Sequence, residues 1–209
     1  MTERVRRLQV GVLVSGRGSN LQSILDAALE PEFPAEVALV ISDREGVFAL
    51  ERSEAAGVRA EFVNPKDYGD RAAFDAAVSA RLVEVGAELV CLAGYMRILG
   101  PEFVRTWSGR LMNIHPSLLP AFPGLRAQRQ ALEYGAKVTG ATVHFVDDGV
   151  DTGPVILQAS VPVRDDDTED SLSHRILAEE HRLYPEAVRL FALGRLRLAG
   201  RRVCSEGRS

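Results

Sequence analysis

Cysteine is nearly absent from this chain: there are two in 209 residues, Cys91 inside an apolar run and Cys204 near the C-terminus. So placed, they offer neither a disulfide framework nor a paired-cysteine metal site. An excess of positive charge is missing as well. Lys and Arg total 25 against 29 Asp and Glu, for a formal net charge of −4, which argues against a non-specific nucleic-acid binder. The apolar segment after Arg6-Arg7 stops at Ser15. It is far too short to span a bilayer and has no small-residue cleavage site, so it reads as a strand, and a cytoplasmic protein is expected. No internal repeat, low-complexity block or linker interrupts the chain.

What is present is an ordinary globular balance. Hydrophobic residues make up 46% and charged residues 26%, enough for one domain with a sizeable core. Residues 8–14 are an almost unbroken apolar run, as in a parallel strand covered on both faces. Leu21, Ile24, Leu25 and Ala28 then recur at helical spacing. Further strands are expected over 37–42, 60–63, 89–92, 140–146 and 155–163. Helices are expected through Phe48 and Ala55, over 71–85, and after Asp165-Asp166-Asp167-Thr168, which supplies acid and a cap. Pro185 is expected to kink or restart the last helix. This alternation predicts an α/β fold with a doubly wound, mostly parallel sheet. A single domain is expected over 1–209, with its core at about 8–194 and a tail from Arg195, and a site at the carboxyl ends of the strands.

The stretch around which the rest is arranged is 111–124, L-M-N-I-H-P-S-L-L-P-A-F-P-G. Asn113 and His115 alternate with Ile114, so an extended chain points both polar side chains the same way. Pro116 biases His115 towards extended geometry. An amide donor beside an imidazole suits a reaction in which negative charge builds on a carbonyl oxygen. An isolated N-x-H serves a turn or a core more often than a reaction, so the weight of the reading falls on its neighbours.

Four other stretches carry chemistry. Ser15-Gly16-Arg17-Gly18-Ser19-Asn20 turns from strand to helix and offers free amides at a helix start, a place for a phosphate. It is an imperfect dinucleotide fingerprint, because Leu21 stands where the third glycine belongs. Asp43, after the second strand, keeps a nicotinamide-binding alternative open. Ala93-Gly94-Tyr95-Met96-Arg97-Ile98-Leu99 sets an aromatic, a thioether and aliphatics beside an arginine, a groove for a flat heterocycle or ordinary strand-end packing. Asp147 to Pro154 is a turn-rich acidic loop leaving a strand. Glu180 lies on the apolar stripe of Leu172, Ile176 and Leu183, and an inward acid needs a partner; Glu179 beside it reads as solvated.

N-I-H-P-S-L-L-P resembles the central motif of the folate-dependent formyltransferases. The flanking motifs narrow the resemblance to the branch acting on a phosphoribosyl glycinamide in purine biosynthesis, and it runs from about Leu8 to Gly194. It implies transfer of the formyl group of 10-formyltetrahydrofolate, a donor co-substrate, to the glycinamide amine, without a metal. It implies small-molecule partners, the ribonucleotide and a reduced folate, with no nucleic acid and no membrane, in a monomer or homodimer. Asn113, His115 and Asp151 are implied as catalytic. Gly18, Ser19 and Asn20 are implied at the ribose phosphate, and Leu177, Ala178, Glu179 and Glu180 at the ribonucleotide, with Glu180 on the amine. Arg71, Met96, Arg97, Ile98, Leu99, Asn113, Asp147, Asp148, Gly149, Val150 and Asp151 are implied at the folate. Where the family commonly has histidines after the P-G pair, this chain has Leu125-Arg126-Ala127-Gln128, and Arg126 is a candidate anion contact in their place.

Other readings stay open at this point. The formyltransferase of initiator methionyl-tRNA and the formyltetrahydrofolate hydrolase carry additional domains for which this chain has no room. His115, His144 and Asp151 resemble a two-histidine, one-carboxylate metal set, although His144 is expected in mid-strand, away from the acidic loop. A nucleotide- or folate-binding module without turnover would need the glycine turn but not Asn113, His115 and Asp151 together.

Overall fold

The computed structural model describes residues 6–205. In chain order the elements are β1 (Leu8–Val14), α1 (Ser19–Ala28), β2 (Ala35–Ser42), α2 (Phe48–Ala55), β3 (Ala60–Phe62), α3 (Arg71–Glu84), β4 (Leu89–Leu92) and α4 (Pro101–Thr106). They continue with β5 (Leu111–His115), α5 (Ala127–Tyr134), β6 (Val138–Phe145), β7 (Val155–Pro162), α6 (Glu169–Ala192), β8 (Leu196–Ala199) and β9 (Arg202–Ser205). β1 to β7 form one seven-stranded sheet in the order β3-β2-β1-β4-β5-β6-β7. Every pair from β3 across to β5 is parallel, and β5, β6 and β7 pair antiparallel. The α/β, mostly parallel architecture follows from the apolar runs, which are long enough for strands buried on both faces.

Two cores sandwich the sheet. Val10, Val12, Cys91, Met112 and Ile114 pack towards α1 and α6, with Leu21, Ile176 and Tyr184. Leu13, Val90, Leu92 and Leu111 pack towards α3 and α4, with Phe74, Val78 and Trp107. Trp107 is fully buried and donates Nε1–H to Ser79 Oγ at 3.0 Å, so its bulk and its one polar atom are both satisfied in the core. The chain turns back between β1 and β4, and their carboxyl ends form the crevice where such sheets take ligands.

Several expectations shift on the structure. Pro185 lies inside α6, which runs through it unbroken. The flanking Leu183, Tyr184, Ala187 and Val188 are all buried, so packing carries the helix past the one amide that proline cannot supply. β6 begins at Val138 rather than at Gly140, because its ladder with β7 extends to the pair Val138–Pro162. β7 is the sheet edge, where a terminal proline leaves no ladder bond unmade. In the tail, β8 and β9 pair as an antiparallel hairpin.

Candidate active site

β5 places the central pair. Its alternation sends Met112 and Ile114 into the α1/α6 core and leaves Leu111, Asn113 and His115 on the opposite face. Asn113 is level with Leu92, the last residue of β4, and with His144 of β6. The β6–β7 loop then folds back so that Asp151 reaches this face. Gly153 permits that path: a Cβ there would lie 1.7 Å from the carbonyl oxygen of Phe145.

Asp151 is the hub. One carboxylate oxygen, Oδ2, accepts the Gly124 N–H at 2.8 Å and lies 3.3 Å from His115 Nδ1. The other, Oδ1, lies 3.4 Å from Asn113 Nδ2 and 3.7 Å from His144 Nε2. Burial pushes this carboxyl up, but the His144 imidazole, the Gly124 N–H and the His115 ring outweigh it, and its pKa falls below the ordinary value. The aspartate stays ionised.

His115 is 5% exposed. Its Nε2 meets the Phe122 carbonyl oxygen at 2.8 Å while Nδ1 faces Asp151, so both ring nitrogens confront acceptors, which favours the protonated ring. Desolvation nevertheless leaves its pKa below the ordinary value, against the upward pull of Phe122 and Asp151. The sequence pointed to a carboxylate that keeps this ring charged; Asp151 works in that direction, and burial outweighs it.

His144 corrects the sequence reading. Although it lies in β6, the antiparallel register sets it directly opposite Asn113. Its Nδ1 is 2.8 Å from the Phe145 carbonyl oxygen, and its Nε2 is 3.3 Å from Asn113 Nδ2. The Phe145 carbonyl oxygen is an acceptor for Nδ1–H, and Nε2 faces both the Asn113 amide and the Asp151 carboxylate. The Asn113 amide nitrogen makes only long contacts here, at 3.3 and 3.4 Å, and is free to be redirected to a better acceptor. Among the described residues no His, Cys, Asp or Glu cluster has the arrangement of a metal site.

The loop that follows β5 is braced from β6 and β7. Thr142 Oγ1 donates to the Ser117 carbonyl and accepts the Leu119 N–H, and Gln158 Nε2 donates to Thr142 Oγ1 and to the Leu119 carbonyl. Among the described residues, Phe122, Arg126 and Asp151 are the non-glycine residues with positive φ, at 54°, 58° and 55°. Phe122 and Asp151 both contact His115, an association of backbone strain with chemistry that is common at functional sites. Arg126 is exposed at the start of α5.

A second group lies on the other face of the sheet. Gly18 takes φ 71° as the cap of α1, where a Cβ would fall 2.6 Å from the Ala49 Cβ. Asn20 Nδ2 donates to Glu180 Oε2 at 2.7 Å, and Asn20 Oδ1 is buried with no partner. Burial pushes the Glu180 carboxyl from 4.5 up to about 7, with the Asn20 bond pulling the other way. Of the four α6 residues expected here, Glu180 is the one buried against Asn20. Leu177 is half-buried, Ala178 is exposed, and Glu179 pairs with Arg182 at 2.7 Å.

The third group flanks β4. Met96 and Ile98 are 58% and 68% exposed, unusual for apolar neighbours unless something covers them. Arg97 lies over the Phe74 ring at 4.9 Å. Arg71, the first residue of α3, stands beside Asp75 and Gly100 at the far end of this segment. In the acidic loop, Asp147 Oδ1 accepts from the Gly149 N–H and from Thr152 Oγ1. Asp147 is half-buried there, and Asp148, Gly149 and Val150 are exposed. Two surface cavities, of about 560 Å³ between α1 and α6 and about 470 Å³ between α3 and α4, lie away from Asn113, His115 and Asp151.

With the geometry in hand, comparison with known proteins adds the lineage. Residues 8–188 match the family model for formyl transferases. The chain is 50% identical over 191 residues to the trifunctional purine biosynthetic protein adenosine-3 of Drosophila melanogaster, covering 90% of this chain and 14% of that protein. It therefore spans only a small part of the animal proteins it matches. Over 191 residues it is 44% identical to the phosphoribosylglycinamide formyltransferase of Escherichia coli, covering 91% of this chain and 90% of that one. The crystal structure of glycinamide ribonucleotide transformylase 1 from Symbiobacterium toebii superposes with a TM-score of 0.93 at 58% identity, covering 95% and 94% of the two chains.

Proposed function

Because the chain belongs to the formyl transferase family, we propose that it moves the formyl group of 10-formyltetrahydrofolate to the amine of a phosphoribosyl glycinamide, a step of purine biosynthesis. The observation that carries this is the convergence of Asn113, His115 and His144 on the ionised carboxylate of Asp151. The neutral amine attacks the formyl carbon. Asn113 Nδ2 and a ring N–H of His115 turn from Asp151 to the oxygen that gains charge. Collapse of the tetrahedral adduct breaks the bond to N10 of the folate, which takes up a proton as the former amine gives one up, with His115 and Asp151 carrying that exchange.

Met96 and Ile98 cover one face of the folate ring, and the 147–151 turn encloses it. The backbone N–H groups of the Gly18-Ser19-Asn20 turn hold the ribose phosphate. Glu180, poised near pH 7, loses its proton when a cationic amine approaches. The nucleotide and folate groups lie on opposite faces, so the substrates meet at the carboxyl edge of β4. Residues 8–194 make up the catalytic unit, acting in the cytoplasm as a monomer or homodimer with no metal.

The test is the absorbance change on mixing the protein with 10-formyl-5,8-dideazafolate and glycinamide ribonucleotide, each omitted in turn. Transfer requires both. Folate turnover without the ribonucleotide makes the protein a hydrolase, and binding without turnover makes it a binding module.

A further inference from the structure

The segment 94–100, which the proposed function places against the folate, carries little secondary structure of its own, yet its two ends are fixed by buried side chains from elsewhere. At one end the Met96 N–H donates to Ser15 Oγ at 2.9 Å, and Ser15 Oγ–H donates to Asp43 Oδ1 at 2.6 Å. At the other, the Gly100 N–H donates to Asp75 Oδ2 at 2.6 Å. Ser15, Asp43 and Asp75 are 3%, 9% and 4% exposed, so these bonds form where water does not compete. Between the anchors, no hydrogen bond from the N–H groups of Arg97, Ile98 or Leu99 is found among the described residues. The Tyr95 hydroxyl is buried without a partner and does not hold the segment either.

A hydroxyl carries one hydrogen and can turn it either way. Asp43 settles the matter: by taking the Ser15 proton it leaves an oxygen lone pair for Met96. Ser15 precedes the Gly18-Ser19-Asn20 turn, but its hydroxyl is engaged by Asp43 and Met96 rather than by that turn. We infer that Ser15 and Asp43 are positioning residues for folate, holding the 96–99 backbone in place so that its unpaired donors can meet the ligand. This rests on the assignment of that segment to the folate.

The experiment compares wild type with Ser15→Ala, Asp43→Ala and Asp43→Asn, the last keeping an acceptor for the Ser15 proton. Binding of 5,8-dideazafolate is measured by calorimetry without ribonucleotide, and both KM values and kcat by the absorbance assay. Ser15→Ala and Asp43→Ala should weaken dideazafolate binding and raise its KM about five- to tenfold, the effect of one net hydrogen bond. The ribonucleotide KM and kcat should stay within about twofold, and Asp43→Asn should approach wild type. Equal rises in both KM values, unchanged folate binding in Ser15→Ala, or an Asp43→Asn protein as impaired as Asp43→Ala overturns the inference. Should Ser15→Ala fail to fold, the Asp43 pair decides alone. A wild-type protein that binds no dideazafolate overturns the folate assignment as well, whereas wild-type binding with unaffected variants overturns this inference only.

Discussion

Asn20 and Glu180 stand 160 residues apart in sequence and share a 2.7 Å hydrogen bond that joins the start of α1 to the middle of α6. The bond does not offset the burial of the carboxylate, whose pKa rises from 4.5 to about 7. The folded protein therefore binds a proton at Glu180 that the unfolded chain releases. That contribution is fully present below pH 4.5 and is lost as pH rises through 7. Glu180→Gln should be more stable than wild type at pH 8, by on the order of 3 kcal/mol, and equal to it near pH 4. Thermal unfolding at the two pH values checks this, and the same variant should show a raised KM for the ribonucleotide.

Asp151 holds the pKa of His115 up against burial. Asp151→Asn should therefore move the NMR titration of the His115 ring to lower pH and reduce kcat by about tenfold or more. A titration that stays in place would mean that the pair is not coupled.

Gly153 sits where a Cβ would meet the Phe145 carbonyl. Gly153→Ala should displace the acidic loop, lowering stability by on the order of 1–3 kcal/mol and lowering activity further than that loss of fold explains. Turnover measured well below the melting temperature separates the two effects.

Much of this molecule was legible in its residues, for reasons that can be named. The 8–14 run, the alternation of Asn113 with His115, and the stripe that turns Glu180 inward are local patterns with a fixed period. Each lies where its period put it. His144 was misread because its role depends on register: only the β5–β6 ladder brings it opposite Asn113, and no local period encodes which strands pair. The strained backbone at Phe122 was hidden for a related reason, since no glycine marks it. Ala178 and Glu179 follow from helical phase, which turns residues beside an inward Glu180 away from it. Pro185 announced a break that the packing of Tyr184 and Val188 overrides.

The central claim is that Asn113 and His115 stabilise the charge that develops during formyl transfer. Its most direct test is kcat/KM for Asn113→Ala and His115→Ala, measured with both substrates at a pH where each variant is folded. The account predicts a loss of a hundredfold or more in each, on the order of 3 kcal/mol per donor, with folate binding largely kept. Turnover at the wild-type rate in either variant would contradict it.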